Sequence, residues 1–181
     1  ILNCIKNTKY SGKSFDNEHF HPVMFKHLGN HAIALLHKLF NLYLQNSQWV
    51  WDSAQVIFLK KADKDTYSKP GSYRPISISA YIGKLMEKII AVRLETYLQQ
   101  KNLYDPDQEG FSKGKNTVRY LNRLHLKIKA DIAKKKTILC IFIDLEKAFD
   151  SIWKKGLIAK LFKLGITGYI LRLIDHFLSS R

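Results

Sequence analysis

Acidic side chains are scarce in this sequence. Its 181 residues carry 15 Asp and Glu against 30 Lys and Arg, a formal charge of +15. Such an excess draws polyanions to the surface, nucleic acid foremost among them. Cysteine is almost missing as well. Cys4 and Cys140 stand far apart and without metal-ligand spacing, which excludes a disulfide framework and a zinc cluster and fits a reducing, intracellular setting. No stretch approaches the roughly 18 uninterrupted apolar residues of a membrane span, and the N-terminus lacks the basic, apolar and small-residue order of a secretory signal. Internal repeats and low-complexity tracts are absent. What is plentiful is apolar substance, 46% of the chain. That argues against wholesale disorder and for one domain, or one domain and part of another, with a core of its own. Residue 1 is Ile, and the stretch from Tyr169 to Arg181 stops just after an apolar helical pattern, as expected of an excerpt from a longer chain.

Periodicity predicts several helices. Ala32, Leu35, Leu36, Leu39 and Tyr43 recur at spacings of three and four, and Met86, Ile90, Leu94 and Leu98 at four. Two short helical pieces are expected over 157–164 and 169–178, punctuated by Gly156, Gly165 and Gly168. The run 54–59 is short and β-prone, and it enters Lys60-Lys61 and a polar loop with Pro70-Gly71, which reads as a strand feeding a hairpin. Residues 102–117 are turn-rich. The uninterrupted β-branched and apolar run Thr137-Ile138-Leu139-Cys140-Ile141-Phe142-Ile143 predicts a strand covered on both faces, ended by Asp144.

The segment 118–136 carries two stripes on one predicted helix. Leu121, Leu124, Ile128 and Ile132 make the apolar side; Arg119, Arg123 and Lys127 lie four apart on the other. From Lys113 to Lys136 there are nine basic residues and one acidic. A face built for solubility usually mixes signs, so Lys113, Lys115, Arg119, Arg123 and Lys127 are expected to grip a nucleic-acid backbone, which in the family resemblance given below would be the template. A membrane surface is disfavoured, because no bulky aromatic lies on the helix's apolar side.

Asp144 is the sharpest candidate for chemistry. A carboxylate where a strand ends, with a main-chain carbonyl beside it, offers oxygens of the kind hard divalent cations take, half of a metal site. The same junction is also what an N-cap looks like, with Glu146 near the positive end of a helix dipole. On the residues alone both readings stand.

Several motifs in order then resemble one family. Phe142-Ile143-Asp144-Leu145-Glu146-Lys147-Ala148-Phe149-Asp150, preceded by Tyr73-Arg74-Pro75-Ile76-Ser77 and Gln108-Glu109-Gly110-Phe111, resembles the reverse transcriptases of non-LTR retrotransposons, most nearly the jockey-like insect elements. Lys13-Ser14-Phe15-Asp16, the stretch Trp49 to Leu59, Gly83-Lys84-Leu85-Met86-Glu87-Lys88-Ile89 and Ser151-Ile152-Trp153 extend the likeness along nearly the whole chain. Departures occur at Ser112, where the family usually has Arg, at Asn116-Thr117, and in an opening loop without Pro-Gly.

The resemblance implies an α+β, right-hand polymerase, its fingers and the first part of its palm, truncated before the rest of the palm and the thumb. Residues 1–50 would be a helical extension of the fingers, 51–135 the fingers with hairpin and basic helix, and 136–181 the incomplete palm. It implies an RNA-directed DNA polymerase copying retrotransposon RNA into cDNA in nucleus and cytoplasm. Its partners would be an RNA template, a DNA primer, deoxynucleoside triphosphates and the remaining polyprotein, with an endonuclease among the possible neighbours. Asp144 would bind two Mg²⁺ ions, with the Leu145 carbonyl as a further ligand. Phe149 would be the steric gate against a 2′-hydroxyl, Lys147 and Ala148 would offer backbone N–H groups to the triphosphate, and Arg74 with Lys60 or Lys61 would close over the phosphates. The alternative is a relic that keeps a basic nucleic-acid-binding surface without catalysis. After Asp150 no adjacent Asp pair follows, so residues 1–181 by themselves are expected not to polymerise.

Overall fold

The computed structural model describes residues 2–6, 15–16, 18–62, 64–112, 114–145 and 148–180. Its elements are α1 (Leu2–Lys6), a 3₁₀ turn (Pro22–His27), α2 (Asn30–Asn46), β1 (Ala54–Lys60), a short 3₁₀ turn (Pro70–Ser72), β2 (Tyr73–Ser79), α3 (Tyr81–Gln100), α4 (Thr117–Ala133), α5 (Lys154–Lys163) and α6 (Gly168–Ser179). The chain divides into two compact units, residues 1–95 with 153–181, and residues 96–152. Helix and sheet are mixed, in keeping with the α+β expectation.

The first unit holds the apolar core. Apolar residues three and four apart in α2 and α3 turn Phe40, Leu44, Leu85, Met86, Ile89 and Ile90 inward, where they meet Leu173 of α6 and Ile5 and Phe25 from the N-terminal region. Leu173 and Met86 are fully buried. Trp49 and Trp51, in the connection after α2, fix the arrangement. Their rings meet edge-on at 5.5 Å; Trp51 also meets Phe40 and Tyr43, and Trp49 meets Phe177 at 4.8 Å. The Trp49 indole donates to the Trp51 carbonyl at 2.8 Å, and its backbone N–H donates to Nδ1 of His176 at 3.2 Å. α3 can lie against this ring pair because residue 83 has no side chain: a Cβ there would sit 2.9 Å from Cβ of Trp51.

One buried carboxylate organises the start of α3. Asp16 accepts from the backbone N–H of Phe20 at 2.8 Å and of Glu18 at 3.1 Å through Oδ1. Its Oδ2 accepts from Tyr81, the first residue of α3, at 2.7 Å. A helix leaves its first N–H groups without intrahelical partners and carries positive charge there, so a carboxylate from far along the chain satisfies both demands.

β1 and β2 form an antiparallel pair in which Lys60 opposes Tyr73, Leu59 opposes Arg74, and Phe58 opposes Pro75. A sheet of two strands has only edges, which is where a proline without an N–H is tolerated. Among the described residues, no helix is long and apolar enough to cross a membrane.

In the second unit the outcome departs from expectation. α4 forms as predicted, capped by Asn116 accepting from the Arg119 N–H at 2.9 Å, yet none of its residues is buried. Residues 137–143 form no strand. Leu139 is 83% exposed, Phe142 79% and Ile143 85%, and among the described residues nothing pairs with them. An apolar run specifies a willingness to be buried in a sheet; it does not provide the neighbouring strands that would bury it.

Two substitutions test the first unit by urea unfolding of the purified chain. Gly83→Ala should lower stability by about 1–3 kcal/mol through the clash with Trp51. Asp16→Ala, which strands three backbone donors, should cost about 2–4 kcal/mol. An unchanged midpoint in either would disprove the corresponding contact.

Candidate nucleic-acid and nucleotide interface

The hairpin brings Lys60, Lys61 and Arg74 to one end, on different faces. Opposed residues share a face, and faces alternate along a strand. Lys60 therefore stands with Tyr73 and Phe58, whose rings meet at 6.5 Å, and its ammonium lies 4.9 Å over the Tyr67 ring. Arg74 stands with Leu59 on the other face, exposed, and among the described residues nothing neutralises its guanidinium. The Lys61 ammonium donates to the Gly71 carbonyl at 2.9 Å.

The connecting loop is held by its own side chains. Tyr67 donates to the Lys61 carbonyl at 2.8 Å, Ser72 to the Thr66 carbonyl at 2.6 Å, and Tyr73 to the Tyr67 carbonyl at 3.0 Å. Its basic residues are thus mounted on an ordered support. Tyr67 is absent from the sequence motifs and Tyr73 enters them only beside Arg74, although an aromatic interleaved with lysines was the available signal.

Two arginines of the basic stripe have acidic partners, so the face is not of one sign as its own sequence suggests. Arg123 lies 3.0 Å from Oδ1 of Asp107 and 3.4 Å from Oε1 of Glu109; Arg119 lies 3.8 Å from the same Glu109 oxygen. Glu109 is 8% exposed, and neither of its carboxylate oxygens accepts a hydrogen bond among the described residues. Two guanidinium charges are what offset its burial. The Lys115 ammonium donates to the Pro106 and Gln108 carbonyls at 2.8 and 2.7 Å, bracing the loop ahead of the helix. Lys127 lines a shallow surface depression with Asp107, Tyr120 and Arg123. Lys113 lies outside the described residues. The acids stood just before the basic count began, in Asp107-Gln108-Glu109.

Asp144 and Leu145 are exposed, at the end of the unpaired apolar run. A carboxylate and an adjacent carbonyl free in solvent fit a hard divalent cation as part of its shell. Among the described residues, no group of three His, Cys, Asp or Glu comes together as a complete one. Lys147 and Glu146 lie outside the described residues, while Ala148 is exposed in the following turn. Phe149 is 77% exposed, and its ring meets that of Phe111, 93% exposed, edge-on at 6.4 Å. Phe111 adopts a left-handed backbone, φ 58°, uncommon for a bulky side chain. This aromatic contact went unread in the sequence, because 38 positions separate its members and no local pattern links them.

A basic hairpin, a basic helix and an exposed aspartate closing an apolar run are thus the chain's candidate functional features. Residues 59–181 match the family model described as reverse transcriptase (RNA-dependent DNA polymerase), and the chain belongs to that family. A probable RNA-directed DNA polymerase from transposon BS of Drosophila melanogaster is 36% identical over 135 residues, which cover 74% of this chain and 15% of that protein. The RNA-directed DNA polymerase from the mobile element jockey of the same species is 31% identical over 135 residues, again 74% and 15%. A Pol polyprotein from the type-1 element R2 of Popillia japonica is 28% identical over 116 residues, 64% of this chain and 16% of that one. The likeness to jockey-like elements is therefore shown, and the chain spans about 15% of the length of the first two of these relatives.

The acid–arginine cluster can be tested on a heparin column. Glu109→Gln should release Arg119, while Asp107 keeps Arg123, and should raise the eluting salt more than Asp175→Asn, which makes the same charge change on α6; the salt slope should steepen by about one for the arginine freed. Equal shifts would mean that Glu109 does not hold Arg119 back.

Proposed function

We propose that this chain is the fingers and the first part of the palm of an RNA-directed DNA polymerase that copies retrotransposon RNA into cDNA inside the cell. In this reading residues 1–50 extend the fingers, 51–135 carry the hairpin and basic helix, and 136–181 begin the palm. The observation that carries it is Asp144, exposed with the Leu145 carbonyl at the end of an apolar run, in a chain whose residues 59–181 match the reverse transcriptase family.

Nucleotidyl transfer builds negative charge on the attacking 3′ oxygen, the α-phosphoryl group and the departing pyrophosphate. Asp144 and the Leu145 carbonyl would hold Mg²⁺, two ions shared with carboxylates from elsewhere in the parent enzyme. Bound there, the metal supplies charge neutralisation for the phosphates. Arg74, whose planar fork suits two phosphate oxygens, reaches for the triphosphate from the hairpin. Lys60 and Lys61 add positive field beside it. Backbone N–H groups of Lys147 and Ala148 would serve the same phosphates, and Phe149, whose ring meets Phe111, would be the gate against a ribose 2′-hydroxyl.

Template and primer backbones meet Lys113, Lys115, Arg119, Arg123 and Lys127 in this reading. The Glu109 and Asp107 carboxylates temper that grip, which favours a polymer that must slide over one that is clamped. The remaining polyprotein, including any endonuclease, completes the machine. A relic without catalysis remains the contrasting reading, and one assay separates the two. In the full-length parent protein, Asp144→Asn keeps shape and removes charge, so cDNA synthesis should fall about a hundredfold or more with circular dichroism unchanged. Full activity in that variant would eliminate the metal role.

A further inference from the structure

We infer that the face of the hairpin turned away from Arg74 is a stacking platform for an unpaired base of single-stranded nucleic acid, with Phe58 as its outermost ring. The inference rests on the polymerase reading only for the class of polymer, and its test involves no nucleotide transfer, so either can fail without the other. Both faces of the hairpin are largely exposed in a chain that spans about 15% of the length of its relatives, so what separates them is chemistry. Beside Arg74 stand Ile57, Leu59, Ile76 and Ile78, an aliphatic surface with no ring to offer a base. On the other face Val56 and Phe58 stand with Lys60, Tyr73, Pro75 and Ser77, where aromatic, cationic and hydroxyl groups mix. Neither strand contains Asp or Glu.

The rings are mounted, not loose. Tyr73 meets Phe58 edge-on at 6.5 Å and Tyr67 at 6.0 Å, and the Lys60 ammonium caps the Tyr67 ring at 4.9 Å. Both tyrosine hydroxyls donate to main-chain carbonyls, which ties down the two half-buried rings behind Phe58, itself 65% exposed. A ring held by anchored neighbours has little freedom left to lose when a partner is laid on it. Charge then chooses the occupant. Among the described residues Lys60 has no carboxylate partner, and a protein surface seated on this face would bury that ammonium uncompensated. A nucleotide chain does the reverse: its phosphates welcome the positive field, and each base has a flat face for an aromatic ring whatever its identity. Lys60 acts here as field, as it does beside the triphosphate, and neither side claims it as a contact.

The test separates stacking from charge. The 181-residue chain is titrated into labelled oligouridylate and oligothymidylate of about 12 nucleotides and into an RNA duplex of similar length, with anisotropy read at several salt concentrations. Phe58→Ala should weaken binding of both single strands about tenfold, since stacking engages the base and not the sugar. It should leave the slope of log K against log salt unchanged, because no phosphate contact is lost, and should leave duplex binding unchanged, because paired bases present no free face. Phe58→Trp keeps a ring and should retain the single-strand affinity. Leu59→Ala removes an exposed apolar side chain from the Arg74 face and should alter none of the three affinities. Wild-type single-strand affinity in Phe58→Ala would overturn the inference. So would a loss that extends equally to the duplex, or an equal loss in Leu59→Ala, the mark of a hairpin damaged as a whole.

Discussion

The edge-on pairing of Trp49 with Trp51 is the constraint on which the larger unit rests. These indoles sit in a connection rather than in an element, yet they are what the surrounding elements touch: Phe40 and Tyr43 of α2, residue 83 of α3, and Phe177 and His176 of α6. Aromatic rings bury much surface for little lost freedom and prefer this perpendicular geometry. A glycine facing one of them lets a helix backbone come near enough to be packed by a ring instead of by another side chain. The hairpin is the next element after Trp51, so its Ala54–Ser79 end starts beside this ring pair and its basic end lies one strand length away.

Positive charge is plentiful here, and the structure separates cations already engaged from those that are free. Lys61 and Lys115 spend their ammonium groups on loop carbonyls, Lys60 rests on a tyrosine ring, and Arg119 and Arg123 share a buried glutamate. Arg74 has no such engagement. A net charge of +15 therefore overstates what a polyanion would meet as free cations, and understates how much of that charge orders the loops that carry it.

Much of this was legible beforehand, for identifiable reasons. α2, α3 and α4 announced themselves through spacing, because an amphipathic helix writes its own face into the sequence; β1 did so through a β-prone run ahead of a turn. The polymerase motifs were legible because four of them occur in one order. Other features were hidden by distance. Asp16 reaches Tyr81 across 65 positions, and Phe111 meets Phe149 across 38. The expected strand at 137–143 failed for a different reason: its side chains foretell burial, while strand formation is decided by partners. The acids that face Arg119 and Arg123 went unread because they come from the preceding loop, not from the helix itself.

Pro75 gives the two β-type regions opposite temperaments. Placed in β2 opposite Phe58, it withholds a donor from the ladder, and the lysines and arginine at that end discourage any newcomer from docking alongside. A strand that lacks one N–H and carries positive charge at its end is a poorer template for strand addition. Thr137 to Ile143 carries no such safeguard within its length. One molecule thus contains a hairpin guarded by a proline and by charge and an exposed apolar run with neither.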